Sequence, residues 1–241
     1  MRAFLLAVQF LTRLPVPGTD QIVAHDPGRA VLFFPLVGLL LGALLVALAV
    51  MLAGAPPHLA AALLLVVWVL VTGALHLDGL ADSTDAWVGS HGDRERTLAI
   101  MKNPYAGPAG VTLIVLVLLV KYAALHALLA DANHAALLLA PLLGRTAIPL
   151  LFLTTAYVRP GGLGDAMAHH LPRRGAMVAV GTAALLALLL GGFTVLAMAA
   201  AVLLLLRTLM CRRLGGATGD TLGASVELVE AAVLVTAALV A

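Results

Sequence analysis

Three aspartates stand at positions 78, 82 and 85 in the stretch His76-Leu77-Asp78-Gly79-Leu80-Ala81-Asp82-Ser83-Thr84-Asp85-Ala86-Trp87. On an α-helix the spacing i, i+4, i+7 gathers them within about 60° of one face. Neighbouring like charges on a helix repel by about 0.2–0.5 kcal/mol per pair, and by more close to lipid. A cation relieves that repulsion, and carboxylate oxygens are hard ligands suited to Mg²⁺, Mn²⁺ or Ca²⁺. Capping a helix end needs one acid and not three in phase. Gly79 and Ala81 are expected to keep the acidic face uncrowded for a bulky substrate.

A second constellation runs from Leu214 to Glu230. Gly215-Gly216-Ala217-Thr218-Gly219-Asp220 is a glycine-rich turn with Asp220 where a helix should begin. Backbone N–H groups at such a turn favour phosphate. Asp220 and Glu227 are seven apart and share a face. Glu227 and Glu230 sit inside an otherwise apolar segment, where an unpaired charge costs several kcal/mol. Either they serve a site, or they pair with Lys121 or Arg145 as intramembrane glue. The third element is the loop carrying Arg94, Arg96 and Lys102. Bases near a divalent-metal site suit phosphate recognition, although a topological charge bias would also place them there. His169, His170, Arg173 and Arg174 read as a solvated loop, and His126 and Arg145 have no partner legible in the sequence. No Gly-x-Ser-x-Gly, Walker or His-Glu-x-x-His pattern is present.

The elements that carry these residues belong in lipid. Of the 241 residues, 62% are hydrophobic and only 11% charged, against about 25% charged in soluble domains. The net charge of +2 and the lack of a basic, aromatic-interleaved stripe argue against nucleic-acid binding. The single cysteine, Cys211, excludes an internal disulfide. At the N-terminus an apolar stretch from Phe4 to Leu11 is interrupted by Arg13, Pro15 and Pro17, with no Ala-x-Ala cleavage site. It reads as a helix in the membrane interface and not as a removed signal peptide.

Segments of about 20 apolar residues can span a bilayer. Candidates are 30–53, 59–75, 109–130, 135–156 and 222–241. Segment 175–207 is too long for one crossing and carries Gly191-Gly192 near its middle. Dividing it there gives seven spans, and with a cytosolic N-terminus the Lys and Arg residues outside the spans all fall inside. The outside loops, 54–58, 131–134 and 191–192, then hold no Lys or Arg. Asp78, Asp82, Asp85, Asp93, Glu95, Asp165 and Asp220 fall on the cytosolic side. The fold expected is an all-α polytopic membrane protein, a single unit over 1–241, with about seven transmembrane helices plus an N-terminal interfacial helix.

In-phase carboxylates, a glycine turn and nearby bases at one membrane face describe metal-assisted phosphoryl transfer. Beyond that class the sequence resembles the cobalamin synthase family, the adenosylcobinamide-GDP ribazoletransferases. The resemblance is carried by Phe10-Leu11-Thr12-Arg13-Leu14-Pro15-Val16-Pro17, by the stretch from His76 to Ala86, by Ile100-Met101-Lys102, and by the glycine turn with Glu227 and Glu230. It covers the whole chain. One departure is Asn103-Pro104-Tyr105, where family members often carry an Asp-Ser-Arg-like sequence.

The resemblance implies a bacterial inner-membrane enzyme of late cobalamin biosynthesis with its site facing the cytosol. The ribose hydroxyl of α-ribazole, or of its 5′-phosphate, would attack the corrinoid-bound phosphate of adenosylcobinamide-GDP with loss of GMP and help from Mg²⁺. Asp78, Asp82, Asp85 and Asp220 would hold the metal, and one of the acids, Asp82 or Asp85, would act as base. His76, Gly79, Arg94, Lys102, Gly215, Gly216, Thr218, Gly219, Glu227 and Glu230 would bind substrate. Membrane lipid is the expected surrounding, and a homo-oligomer is allowed. Two other readings stay open. A CDP-alcohol phosphotransferase shares the Asp-Gly-x-x-Ala start, but here Asp82 stands where that family has Arg and Thr97 where it has a final Asp. A cation transporter would use Glu227, Glu230 and Lys121 as a relay.

Overall fold

A computed structural model describes residues 1–18, 23–131 and 134–240. All its regular elements are helical. In chain order they are α1 (Arg2–Leu11), α2 (Asp26–Ala30), a 3₁₀ turn (Val31–Phe33), α3 (Phe34–Met51), α4 (Pro57–Thr72), α5 (Leu75–Gly89) and α6 (Arg94–Ile100). Then follow α7 (Pro108–Ala130), α8 (Ala135–Thr154), α9 (Gly162–His169), α10 (Arg173–Leu214) and α11 (Gly219–Val240). The expected outside loop at 131–134 and the end of the last expected span at 241 fall partly outside the described residues.

Among the described residues five helices are long and apolar enough to cross a bilayer, and a sixth crossing is made if the bent pair α4 and α5 counts as one. The chain is a multi-pass membrane protein. Its outer surface is apolar, with Leu40, Val66, Leu70, Val115, Leu119, Leu189 and Leu204 all exposed. In water such a surface would be unfavourable; against lipid tails it is not.

The central helix is α8, most of whose residues are buried, and it packs on α3, α10 and α11. Gly38 and Gly42 of α3 form a Gly-xxx-Gly pair facing it. A Cβ at Gly42 would lie 2.7 Å from Leu138 Cα, and one at Gly38 would collide with the Pro141 carbonyl. Small residues let the two backbones approach closely, which favours association where no hydrophobic force acts between helices.

The 42-residue α10 is two antiparallel arms. A straight helix of that length would reach about 63 Å, twice the hydrocarbon thickness. Helical geometry breaks at Gly192 (φ 75°, ψ 178°), a conformation that glycine adopts without steric cost. The arms are fixed by α8. Arg173 donates to Leu153 O at 2.7 Å and Arg207 to Thr154 O at 2.6 Å, while Gly191 lies against Leu139 near the opposite end of α8. The chain therefore runs the length of α8 and returns, with the fold at the glycine pair where the charge pattern divides the segment.

The acidic stretch departs from expectation. It does not continue the second span. That span stops at Thr72, Gly73 and Ala74 take left-handed φ values of 62° and 57°, and α5 leaves at 86° to α4. Gly73 C-caps α4 in the way many helices end. The bend takes α5 out of the crossing and lays it over the ends of α7 and α11.

Candidate active site

Helix α5 presents Asp78 to solvent and half-buries Asp82 and Asp85, so the three acids share a face as their spacing predicts. The opposite face packs on α11. Gly79 and Gly223 meet there with Cα-level contact: a Cβ at Gly223 would lie 3.5 Å from Gly79 Cα, and a Cβ at Gly79 would lie 2.7 Å from Asp220 O. Gly79 is thus required by helix packing, and not, as its sequence position suggested, to leave room for substrate on the acidic face. That close crossing brings Asp220 of α11 beside Asp78 and Asp82.

The start of α11 is built to hold this position. Gly215, at φ 78°, ends α10. A Cβ at Gly216 would collide with the Ala156 carbonyl, because 156–158 and Ala217 pair through Ala217 N to Ala156 O (2.8 Å) and Val158 N to Ala217 O (2.9 Å). Thr218 and Thr221 cap the helix reciprocally, Thr218 N donating to Thr221 Oγ1 at 2.9 Å and Thr221 N to Thr218 Oγ1 at 3.3 Å. This is a capping box with threonine in place of the usual acid. Thr218 is fully buried, so its hydroxyl serves the helix end and does not face a ligand.

Asp85 has a specific structural partner. Its two oxygens accept from Gly107 N at 2.6 Å and Gly110 N at 2.8 Å. It caps the first turn of α7 from another helix, satisfying amides that the helix cannot. The acids with free faces are Asp78, Asp82 and Asp220. The Asp82 carboxyl is pushed up to about 6 by partial burial first, then by the negative charges of Asp78, Asp220 and Asp85, with Arg159 opposing. The cluster thus holds more negative charge than its surroundings offset.

Among the described residues the one cation bonded to it is Arg159, whose Nη1 donates to Asp220 Oδ2 at 2.8 Å. The bases expected to serve the site sit elsewhere. Arg94 donates to Leu214 O at 2.7 Å, closing the end of α10, and Lys102 is exposed. Arg159, in the segment Tyr157-Val158-Arg159-Pro160-Gly161-Gly162, was legible only as a cytosolic charge. An aromatic and a base beside paired glycines at a helix end were the available signal.

Glu227 and Glu230 pair with Lys121, each at 2.5 Å, and Glu230 also contacts Arg145. Lys121 lies 4.9 Å from the ring centroid of Trp68. Two positive and two negative charges close a neutral, buried network between α7, α8 and α11. Neither glutamate lines the cavity beside Asp220. The glue alternative accounts for both.

That cavity, of ≈ 200 Å³, opens between α1, α3, α5, α8, α9 and α11. Asp78, His76, Gly79, Gly219 and Asp220 line one part, and aromatic and aliphatic side chains the rest. Among the described residues no three His, Cys, Asp or Glu side chains converge into a metal cage. The donor set still suits Mg²⁺, which is bound through one or two carboxylates plus substrate phosphates and not by an all-protein cage. Hard oxygens under mutual repulsion, around a cavity open to a diphosphate, meet that description.

A family model described as cobalamin-5-phosphate synthase matches residues 3–238. An adenosylcobinamide-GDP ribazoletransferase of Pseudomonas putida (strain GB-1) is 58% identical over 239 residues, covering 99% of each chain. Those of Pseudomonas aeruginosa and Pseudomonas fluorescens (strain Pf-5) are 56% and 55% identical, covering 99% of this chain and 98% and 100% of theirs. No solved structure matches. With a match across nearly its whole length and relatives above half identity, the chain belongs to the cobalamin-5-phosphate synthase family.

Proposed function

We propose that this chain joins adenosylcobinamide-GDP to α-ribazole or its 5′-phosphate, releasing GMP, with Mg²⁺ at Asp78, Asp82 and Asp220, at the cytosolic face of a bacterial inner membrane. The observation that carries the reading is the approach of α5 to α11 at Gly79. It sets Asp78 and Asp220 on the wall of one cavity, with Asp82 beside them and Arg159 bonded to Asp220, and the family relatives bear the name of that activity.

The reaction is a displacement at phosphorus. The acceptor oxygen bonds to the phosphorus that carries the cobinamide, the bond from that phosphorus to the bridging oxygen breaks, and GMP leaves with that oxygen. The hydroxyl proton passes to the carboxylate cluster. Asp85 is poorly suited to take it, since backbone amides occupy both its oxygens. Bound Mg²⁺ would screen the diphosphate charge and steady the leaving group. Arg159, held at the cluster by Asp220, would pair with a phosphate oxygen of the bound diphosphate. Arginine suits this because its planar fork matches phosphate geometry. Holding both substrates at one place also converts a bimolecular encounter into an oriented one.

Purified protein supplied with adenosylcobinamide-GDP, α-ribazole phosphate and Mg²⁺ should form the corrinoid product and GMP in equal amounts. Omitting the divalent ion should stop both. Turnover of a CDP-alcohol in place of the corrinoid would assign the chain to the other phosphotransferase class.

Seven crossings with a cytosolic N-terminus fit the fold. Counting the bent pair as one crossing and α10 as two brings the five long helices to that number, and the Lys and Arg residues outside the spans then all lie on one side.

A further inference from the structure

The cavity beside Asp78 and Asp220 has two unlike ends. His76 and the two acids stand at one, and Phe10, Phe34, Phe152, Leu163 and Met167 from four helices at the other. Phe10 and Phe34 stack with centroids 5.8 Å apart and planes at 17°; Phe152 and Tyr157 lie tilted at 6.0 Å. At ≈ 200 Å³ the space is below the roughly 300–1,000 Å³ of sites that enclose drug-sized ligands. A corrin macrocycle cannot enter it, whereas one flat bicyclic ring can. Past Phe10, Leu163 and Met167 a second cavity of ≈ 200 Å³ continues between α1, α2 and α9.

We propose that this cavity is the subsite of the acceptor nucleoside. Its apolar bicyclic base lies among the phenylalanines, its ribose hydroxyls face His76 and Asp78, and the corrinoid stays outside with only its diphosphate reaching the acids. The inference rests on the transferase reading above.

Two ring systems compete for such a place, the acceptor's base and the guanine of the leaving nucleotide. Guanine carries an amide N–H, an amino group and a carbonyl. Among the described residues that line it, the apolar end offers them no polar side chain apart from the Tyr157 hydroxyl, and buried polar groups without partners are strongly disfavoured. The base of α-ribazole, a dimethylbenzimidazole, has no N–H once joined to ribose and presents two methyl groups and a π-face. Offset and edge contacts with phenylalanine rings suit it.

The polar end supplies the complement. His76 is 2% exposed, and neither of its ring nitrogens has a partner. Buried polar atoms are nearly always bonded, so two orphaned nitrogens on a residue that lines the cavity call for a partner. A neutral imidazole offers one donor and one acceptor, the pair that a hydroxyl needs.

The test uses purified full-length protein in lipid nanodiscs, with α-ribazole and free 5,6-dimethylbenzimidazole as probes. Each is titrated calorimetrically without donor, and GMP release is then measured against both substrates. The free base should inhibit competitively against the acceptor and not against the donor. Leu163→Trp fills the apolar end from a position that is 44% exposed, where the fold tolerates it. It should raise the acceptor KM and the free-base Ki at least about tenfold, as overfilling a pocket does, while the unchanged donor KM reports an intact fold.

Met167→Trp, from the buried wall, should act the same way. Nucleoside binding that Leu163→Trp abolishes, without any GMP release by the wild type, would support the subsite and sink the transferase reading. GMP release with acceptor KM unmoved in both variants, or free base competing with the donor, would overturn the subsite and leave the transferase standing.

Discussion

Replacing Gly79 with alanine adds one methyl group at the place where the two halves of the site meet. The new Cβ would lie 2.7 Å from the Asp220 carbonyl oxygen, 3.2 Å from Asp220 Cα and 3.3 Å from Gly223 Cα. Carbon and carbonyl oxygen sit comfortably no closer than about 3.3 Å, so the shortfall is roughly 0.6 Å. All three obstacles are backbone, and no side-chain rotation relieves them. α5 must therefore shift away from α11 as a body, carrying Asp78 and Asp82 away from Asp220. Overpacking of this kind costs about 1–3 kcal/mol, which the fold should survive. Catalysis is less forgiving, because a displacement near 1 Å can lower a rate by on the order of 10², or about 2.7 kcal/mol of barrier.

The assay is GMP release at saturating substrate, with thermal unfolding of the same preparation. Gly181→Ala, where a Cβ meets nothing within 4 Å, is the control and should behave as wild type. Gly79→Ala retaining more than about a third of the wild-type rate, under ~0.7 kcal/mol of barrier, would refute the claim that this crossing aligns the acids.

The acids on the two helices should act as one unit: in a cycle of Asp78→Asn and Asp220→Asn, each weakens Mg²⁺ activation and the double loss falls well short of the sum. Additive losses would separate the glycine turn from the metal. Asp85→Asn should lower stability by about 1–3 kcal/mol, because the amide NH2 cannot accept from one of the Gly107 and Gly110 N–H groups, leaving the Mg²⁺ dependence of the folded fraction unchanged; a shifted Mg²⁺ midpoint would make Asp85 a ligand instead.

Lys121→Met strands Glu227 in a buried network and leaves Glu230 with Arg145 alone, at about 3–5 kcal/mol. The loss should be read as a drop in Tm and yield, with Glu227→Gln added to Lys121→Met recovering part of it. Full stability with altered substrate KM would give the network a binding role. Reporter fusions at His91 and Asp165 should read cytosolic and one after Val240 external; a cytosolic reading after Val240 would remove the split at Gly192 from the topology.

Several features were legible because they are local. The helical phase of Asp78, Asp82 and Asp85 needs only the rise and pitch of a helix. The division of α10 at Gly191-Gly192 follows from length, glycine and the side on which Arg207, Arg212 and Arg213 must fall. The helix start at Asp220 follows from a glycine turn before an apolar run. Hydropathy along the chain decides the solvent, and with so few charged residues no water-soluble core was available.

What the tertiary structure decided is who partners whom. Asp85 looks like its two neighbours in sequence, yet amides 22 and 25 residues away occupy it. Arg94 sits near the acidic stretch in the chain, but Arg159, 61 residues before Asp220, is the base that bonds to the cluster. Glu227 and Glu230 read first as site residues, with glue as the alternative, until Lys121 and Arg145 met them across three helices. Gly79 read as open space and proved to be a close backbone crossing between α5 and α11. Spacing, phase and hydropathy repeat along one helix and so leave a pattern in the sequence. Contacts between remote segments depend on how whole helices cross, on an 86° bend and a missing methyl group, and these leave no periodic trace.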